Sequence, residues 1–305
     1  MSNSVRKILV VCHDAGGSEI VSSWVAKHRS EYLFMYLLEG PAVAVFGRKL
    51  GNLTNNTRSS ILSDPSTFNF VLTGTSWASD LEKTIIRLAK NQSVPCASYL
   101  DHWMDYRERF ESGGALVLPD EIWVGDLHAH RVATETFPQS RIKLEPNLYF
   151  EEMVNKVRSL PAHSKRETVR VLYVTEPTSV VAAHKYGDPT YFGYTEFEAL
   201  DNYLSYLRTQ SIRIDAIRIR LHPSEPDGKY RSIIEKYESY FPIESSVNQD
   251  LTDDCAWSDW IVGCQSMAMV IGVLSGKTVF SCTPRNGSKF ILPYKEIKKI
   301  FQASS

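Results

Sequence analysis

The sequence predicts a doubly wound α/β protein built from two consecutive sheet-containing domains. Short β-rich apolar runs alternate with helix-period patterns along the whole chain, the signature of βαβ units and mostly parallel sheets. The alternation breaks once, over the polar stretch 159–167 that contains Pro161, and restarts at Val169. A chain of 305 residues also has room for two compact domains of ~100–200 residues each.

In the first half, Ile8-Leu-Val-Val11 reads as a strand over 6–12, followed by a helix over 18–28 and a strand over 32–38. A short apolar piece at 43–46 and a strand at 69–73 come next. A helix at 77–91, strands near 95–100 and 121–124, a helix at 127–136 and a last short strand at 142–144 complete this half. In the second half a strand at 169–174 precedes a long loop, 175–194. A helix at 195–209, a strand at 216–221, a helix at 228–239 and a strand near 241–244 follow. The pattern ends with a helix at 250–256, a strand at 259–262, a helix at 266–275, a strand at 277–281 and a helix at 292–302.

Composition narrows the function classes. The 43% apolar and 23% charged residues are those of a globular protein with a sizeable core. A net charge of -1 supplies no global field for holding nucleic acid or an anionic bilayer, so no nucleic-acid partner is expected. No apolar run approaches the ~18–20 residues of a membrane span. The first strand starts so close to Met1 that no secretory signal fits ahead of it, and a cytoplasmic location is expected. Five cysteines without a CxxC pair argue against a disulfide framework and structural zinc.

Ligands of doubly wound sheets bind outside the carboxyl ends of the strands, so the residues just after each strand are the candidates. Behind the first strand, His13-Asp-Ala-Gly-Gly-Ser18 places two titratable side chains at a strand tip. Gly16 and Gly17 let the backbone approach a ligand, and Asp14 or His13 could act as a general base. The spacing is not GxGxxG, which disfavours a dinucleotide, and no cofactor is expected. Thr73, Thr75 and Ser76 follow the next strand and suit either an acceptor hydroxyl or a helix cap. Asp101 and His102 follow the strand that contains Cys96, beside Trp103 and Tyr106, a set suited to sugar binding. His128 and His130 diverge on a helix behind Asp126, so a cap is expected there and no metal site.

In the second half, Thr175 and Glu176 follow a strand, and Glu176 is placed to accept from a base or ribose, with Lys185 further along to meet a phosphate. The run Ile217-Arg-Ile-Arg-Leu-His-Pro223 ends a strand on His222, because Pro223 cannot continue the ladder. A histidine there can donate to a leaving phosphate oxygen. After Gly263, Ser266 reads as the N-cap of a small-residue helix whose free amides suit a phosphate.

Together these segments resemble GT-B glycosyltransferases, especially the bacterial sialyltransferase and Kdo-transferase group. Arg220-Leu-His-Pro223 is similar to that group's HP motif, and Ser258-Asp-Trp-Ile-Val-Gly-Cys-Gln-Ser-Met-Ala268 is similar to the phosphate-binding segment of GT-B donor domains. The resemblance implies two Rossmann-like domains with parallel sheets facing across a cleft. Residues 1–158 would form the acceptor domain, 168–290 the donor domain, and 291–305 a helix packing back on them. It implies that His222 contacts the donor's phosphate or cytidine and Ser266 its phosphate, with Arg220, Gln265 and Met267 alongside. The base would lie on the first domain, matching Asp14 or His13 by position, with no metal required. Many UDP-sugar members carry a glutamate in the last helix, whereas this chain reads Met267-Ala-Met-Val-Ile271. That departure favours a CMP-sugar, or a donor such as phosphoribosyl pyrophosphate. The expected activity is glycosyl transfer to a saccharide in surface polysaccharide synthesis, with membrane contact only through a lipid-linked acceptor. The alternatives are a nucleotide-sugar hydrolase or epimerase, and a non-catalytic nucleotide- or sugar-binding partner.

Overall fold

A computed structural model describes residues 6–63, 67–76, 78–161, 167–246, 249–287 and 291–301. The chain divides into two compact units, Met1–Glu151 and Glu152–Ser305. Each is built on a six-stranded parallel sheet.

The first unit begins with β1 (Lys7–Cys12), α1 (Ala15–His28), β2 (Leu33–Leu38), α2 (Pro41–Leu50), α3 (Arg58–Ser63) and β3 (Phe70–Thr73). It continues with α4 (Leu81–Asn91), β4 (Cys96–Leu100), α5 (Tyr106–Phe110) and a small antiparallel hairpin, β5 (Glu111–Ser112) with β6 (Ala115–Leu116). Then come β7 (Glu121–Val124), α6 (Leu127–Thr136), β8 (Arg141–Leu144) and α7 (Leu148–Ser159), which carries the boundary between the units. The sheet order is β2-β1-β3-β4-β7-β8. β1 is buried from Ile8 to Cys12, as an uninterrupted apolar strand must be when helices cover both faces of its sheet. α4 is amphipathic and turns Leu81, Ile85, Ile86 and Ala89 inward.

The second unit runs β9 (Val169–Val174), α8 (Thr178–Tyr186), α9 (Glu196–Arg208), β10 (Ile214–Arg220), α10 (Arg231–Tyr237), β11 (Ile243–Ser245) and α11 (Leu251–Trp257). β12 (Trp260–Gly263), α12 (Met267–Leu274), β13 (Thr278–Ser281) and β14 (Lys298–Lys299) complete it. Its sheet order, β11-β10-β9-β12-β13-β14, is the 3-2-1-4-5-6 order of dinucleotide-binding folds. α9 starts with a capping box, in which the Glu198 amide donates to the Thr195 hydroxyl while the Glu198 carboxylate accepts the Thr195 amide at 2.7 Å. α12 is apolar and largely buried. A side chain at Gly272 would meet Ile261 Cδ1 at 2.7 Å, so glycine permits the helix to lie close on β12.

The two units are Rossmann-like α/β domains, as the sequence pattern predicts. Four local readings are corrected. The apolar piece at 43–46 belongs to α2, started by Pro41 at its first turn and stopped by Gly51. The stretch expected as a long loop contains α8, whose C-terminal Gly187 has φ +74, a left-handed C-cap. α7 lies where no helix was expected. The C-terminal segment is not helical over 291–301. Instead β14 joins β13 in parallel, pairing Phe280 with Lys298 and Ser281 with Lys299, and position 302 lies outside the described residues.

Candidate functional site

In both sheets the strand order reverses once, between β1 and β3 in the first and between β9 and β12 in the second. Crossovers leave such a point in opposite directions, which opens a crevice above the strand ends.

In the first domain, His13 and Asp14 stand at the tip of β1, with His13 Nδ1 2.7 Å from Asp14 Oδ1 and each side chain 23% exposed. The imidazole rests against Gly40. A side chain there would lie 2.8 Å from His13 Nε2, and Gly40 has φ +54, so glycine is required on both counts. The Cβ of an alanine at Gly17 would come 3.3 Å from both Gly74 Cα and the Thr75 nitrogen, which brings the β1 and β3 loops into backbone contact. Asp101, at the end of β4, reaches over the first turn of α1. Its Oδ2 occupies the space that a side chain at Gly16 would need, 2.2 Å from that Cβ position. Arg109 clamps this carboxylate, its Nη1 donating to Asp101 Oδ1 at 2.5 Å and to Thr75 Oγ1 at 3.0 Å.

His13, Asp14, Gly16, Gly17 and Asp101 thus share the strand-end region of one sheet. Thr73 does not belong with them. It is fully buried, and its hydroxyl pairs with Ser98 Oγ at 2.7 Å between neighbouring strands, so it cannot meet an acceptor. Ser76 caps the turn before α4, accepting from the amides of Ala78 and Ser79. His102 accepts the Trp103 amide on Nδ1 at 3.0 Å, and burial holds its pKa below the usual histidine value. Asp126 caps α6 at Ala129 and takes the Trp103 indole N–H at 2.7 Å.

Glu82, in the first turn of α4, was not visible as a candidate in the sequence. It is 3% exposed, and its Oε1 accepts the His13 amide at 2.8 Å while Oε2 has no partner among the described residues. Burial, together with the charge of Asp14, pushes its carboxyl up to about 7. The folded pKa exceeds the unfolded one, so stability falls as pH rises from about 4.3 toward 7, where only the unfolded chain ionises freely. Glu82→Gln should therefore raise the melting temperature at pH 8 and leave it nearly unchanged at pH 4. Equal shifts at both pH values in calorimetry would contradict this.

In the second domain the tips of β10, β9 and β12 form a continuous row. The His222 amide donates to Thr175 Oγ1 and to Glu225 Oε2, each at 3.0 Å. Glu176, next to Thr175, accepts the Gln265 amide on Oε1 at 2.6 Å, crossing the switch point from β9 to β12. The amides of Cys264 and Ser266 also favour its ionised form. Burial outweighs them and pushes the carboxyl up to about 7. His222 is exposed. Its Nδ1 is engaged by Ser224, 2.8 Å from Oγ and 3.2 Å from the amide nitrogen, and Nε2 has no partner among the described residues. The Ser266 side chain accepts from the Ala268 amide as the N-cap of α12, and Met267 is the first residue of that helix. The Gln265 side chain turns instead to the C-terminal segment and accepts the Ile291 amide at 2.9 Å.

Two donor-side expectations are corrected. The Arg220 guanidinium is committed to fully buried Asp254 at 2.6 Å and to the Gln249 carbonyl at 2.8 Å, so it braces α11. Lys185 sits in the last turn of α8, about 10 Å along the helix from its start, with its ammonium 5.4 Å from the Tyr186 ring centre. It is not among the strand tips.

Beneath the row lies an ionic network that the sequence reading missed. Lys229 donates to both Glu225 and Glu196. Glu225 also accepts from Tyr230 OH at 2.7 Å and from the Thr175 hydroxyl, and Glu196 accepts the amide and hydroxyl of Ser179 at 2.8 Å each. The network ties the β10 tip, the β9 tip and the start of α8 into one unit. Glu225 stands three residues beyond His222, the one sequence signal that it supports that turn.

No protein-family model and no curated protein matches the sequence. Solved structures do match the fold. UDP-GlcNAc 2-epimerase from Neisseria meningitidis, bound to UDP-GlcNAc, superposes with a TM-score of 0.60 at 11% identity, covering 90% of this chain and 82% of that one. MurG from Acinetobacter baumannii gives 0.54 at 7% identity over 90% and 78% of the two chains. A UDP-glucosyltransferase from Polygonum tinctorium gives 0.51 at 8% identity over 95% and 81%. At these identities the likeness is one of architecture, and the chain has a GT-B-like fold of two Rossmann-like domains.

Proposed function

We propose that the protein is a nucleotide-sugar enzyme that holds its nucleotide on the second domain, at His222 and the 264–266 loop, where Glu176 now stands. The observation that carries this reading is exposed His222, whose ring is held through Nδ1 by Ser224. With its proton on Nε2, the ring sets a donor at the strand-end edge, as the stabilisation of a departing phosphate oxygen requires. Ser266 and Met267 are the proposed neighbours of that phosphate, whereas the Thr175 hydroxyl is buried and committed to Glu225 and the His222 amide, so it supports the turn instead. On the first domain Asp14 is the proposed base, oriented by His13. Because the His13 ring is seated against Gly40, Asp14 is the better placed of the two to meet a substrate hydroxyl.

Glycosyl transfer from an activated donor to a saccharide is the first reading of the reaction. Epimerisation of a nucleotide sugar stands beside it, because the structural likeness includes UDP-GlcNAc 2-epimerases as well as a glucosyltransferase. For the donor, the lack of a carboxylate in Met267–Ile271 favours a CMP-sugar, whereas the structural likeness includes UDP-sugar proteins. A thermal-shift series with CMP, CDP, UDP, GDP, UDP-GlcNAc and phosphoribosyl pyrophosphate decides the nucleotide, since a ligand specific to the folded state raises the melting point. We expect a cytidine or uridine nucleotide to do so. No shift with any of them would refute the nucleotide reading. Product analysis with the donor alone then separates the reactions: an epimerase turns over without an acceptor, and a transferase needs one.

A further inference from the structure

We propose that Glu176 is a built-in competitor for the 264–266 loop, displaced when a nucleoside diphosphate binds. The inference rests on the nucleotide reading above and concerns how that site is filled. Three successive amides, those of Cys264, Gln265 and Ser266, favour a negative group in front of α12. The anion there comes from another strand, because Glu176 crosses the switch point from β9 to place Oε1 2.6 Å from the Gln265 nitrogen. The seat is therefore already an anion site, filled by the chain itself.

A carboxylate in this place is held at a cost. Its burial outweighs the three amides and raises the carboxyl to about 7, so moving to water relieves the desolvation of the charge. A phosphoryl group brings more acceptor oxygens to the same amides and meets the donor at His222. The exchange has somewhere to go. Glu176 is only partly covered, so its carboxylate can turn outward to solvent. Glu176 would thereby keep weakly charged metabolites from the seat and admit only ligands with enough phosphate charge to displace it.

Titration calorimetry with UDP and, separately, inorganic pyrophosphate tests this on the wild type, Glu176→Ala and Glu176→Gln. We expect both ligands to bind Glu176→Ala at least tenfold more tightly than the wild type. Glu176→Gln keeps the shape and an acceptor carbonyl but loses the competing charge, so it should tighten binding several-fold, and it decides the matter if the alanine variant does not fold. UDP binding to the wild type with unchanged or weaker binding to both variants overturns the competitor role and leaves the nucleotide reading intact. Tighter pyrophosphate binding to the variants, with no UDP binding to any protein, keeps the seat and refutes the nucleotide. If neither ligand binds any of the three proteins, both fall.

Discussion

Asp14→Ala and His222→Ala should each lower turnover about 10²–10³-fold, while the melting temperature stays within a degree or two of the wild type. Removing a positioned base costs roughly 10²–10⁴ in rate, and removing one donor to a developing oxyanion costs roughly 10²–10³. Neither side chain holds the fold together. Asp14 makes no side-chain cap for α1 and is 23% exposed, and His222 is exposed with its ring bonded only within its own turn. Steady-state kinetics on the donor that the thermal-shift series identifies, paired with melting curves, checks the point. Wild-type turnover in both variants would remove the proposed chemistry and leave the fold assignment standing.

A different kind of loss is expected from Glu225→Ala, namely destabilisation of about 3–5 kcal/mol, the range found when one partner of a buried ion pair is removed. The Glu225 side chain is 1% exposed and accepts from Lys229, Tyr230, Thr175 and the His222 amide. Without it the partly buried Lys229 ammonium keeps one carboxylate, Glu196, and the His222 amide keeps only Thr175. Burial alone would raise the Glu225 carboxyl. The contacts from Lys229, Thr175, Tyr230 and His222 outweigh it and hold the group below its usual value. A depressed folded pKa contributes stability in full above the unfolded value of about 4.3, and that contribution is lost as pH falls through the folded value. Urea titrations should therefore show a large gap between wild type and variant at pH 7 that narrows below pH 4. A gap under about 1 kcal/mol at pH 7 would mean that the network contributes little.

The two-domain α/β plan was legible because it is written in local pattern. Ile8–Val11 and Val171–Val174 are apolar runs that only strands buried on both faces tolerate, and Pro223 marks the end of β10 beyond His222. The site was legible only where a candidate sits beside a strand end. That rule picked out His13, Asp14, Asp101, Glu176 and His222 as candidates, and all five stand beside strand ends. Glu82, Arg109, Glu196 and Lys229 escaped it, since each reaches the strand tips from a helix or turn distant in sequence, and no spacing records that approach.

The same limit explains the misplaced residues. Arg218 and Arg220 alternate with isoleucine and so share one face of β10, where both meet a common partner. That partner, Asp254, lies on α11, far along the chain, and the sequence alone does not show the approach. In the C-terminal segment, the Ile297, Ile300 and Phe301 spacing reads as a helix face. There the edge of β13, open to a sixth strand, prevails over local periodicity.

Hydrogen exchange followed by mass spectrometry, with and without the nucleotide that raises the melting point, addresses the proposed location directly. Bound nucleotide should slow exchange in peptides covering 175–178, 222–225 and 264–268, with smaller changes in the rest of the second domain. Protection confined to the first domain, or absent from all three of those segments, would contradict a nucleotide seat at the β9–β12 switch point.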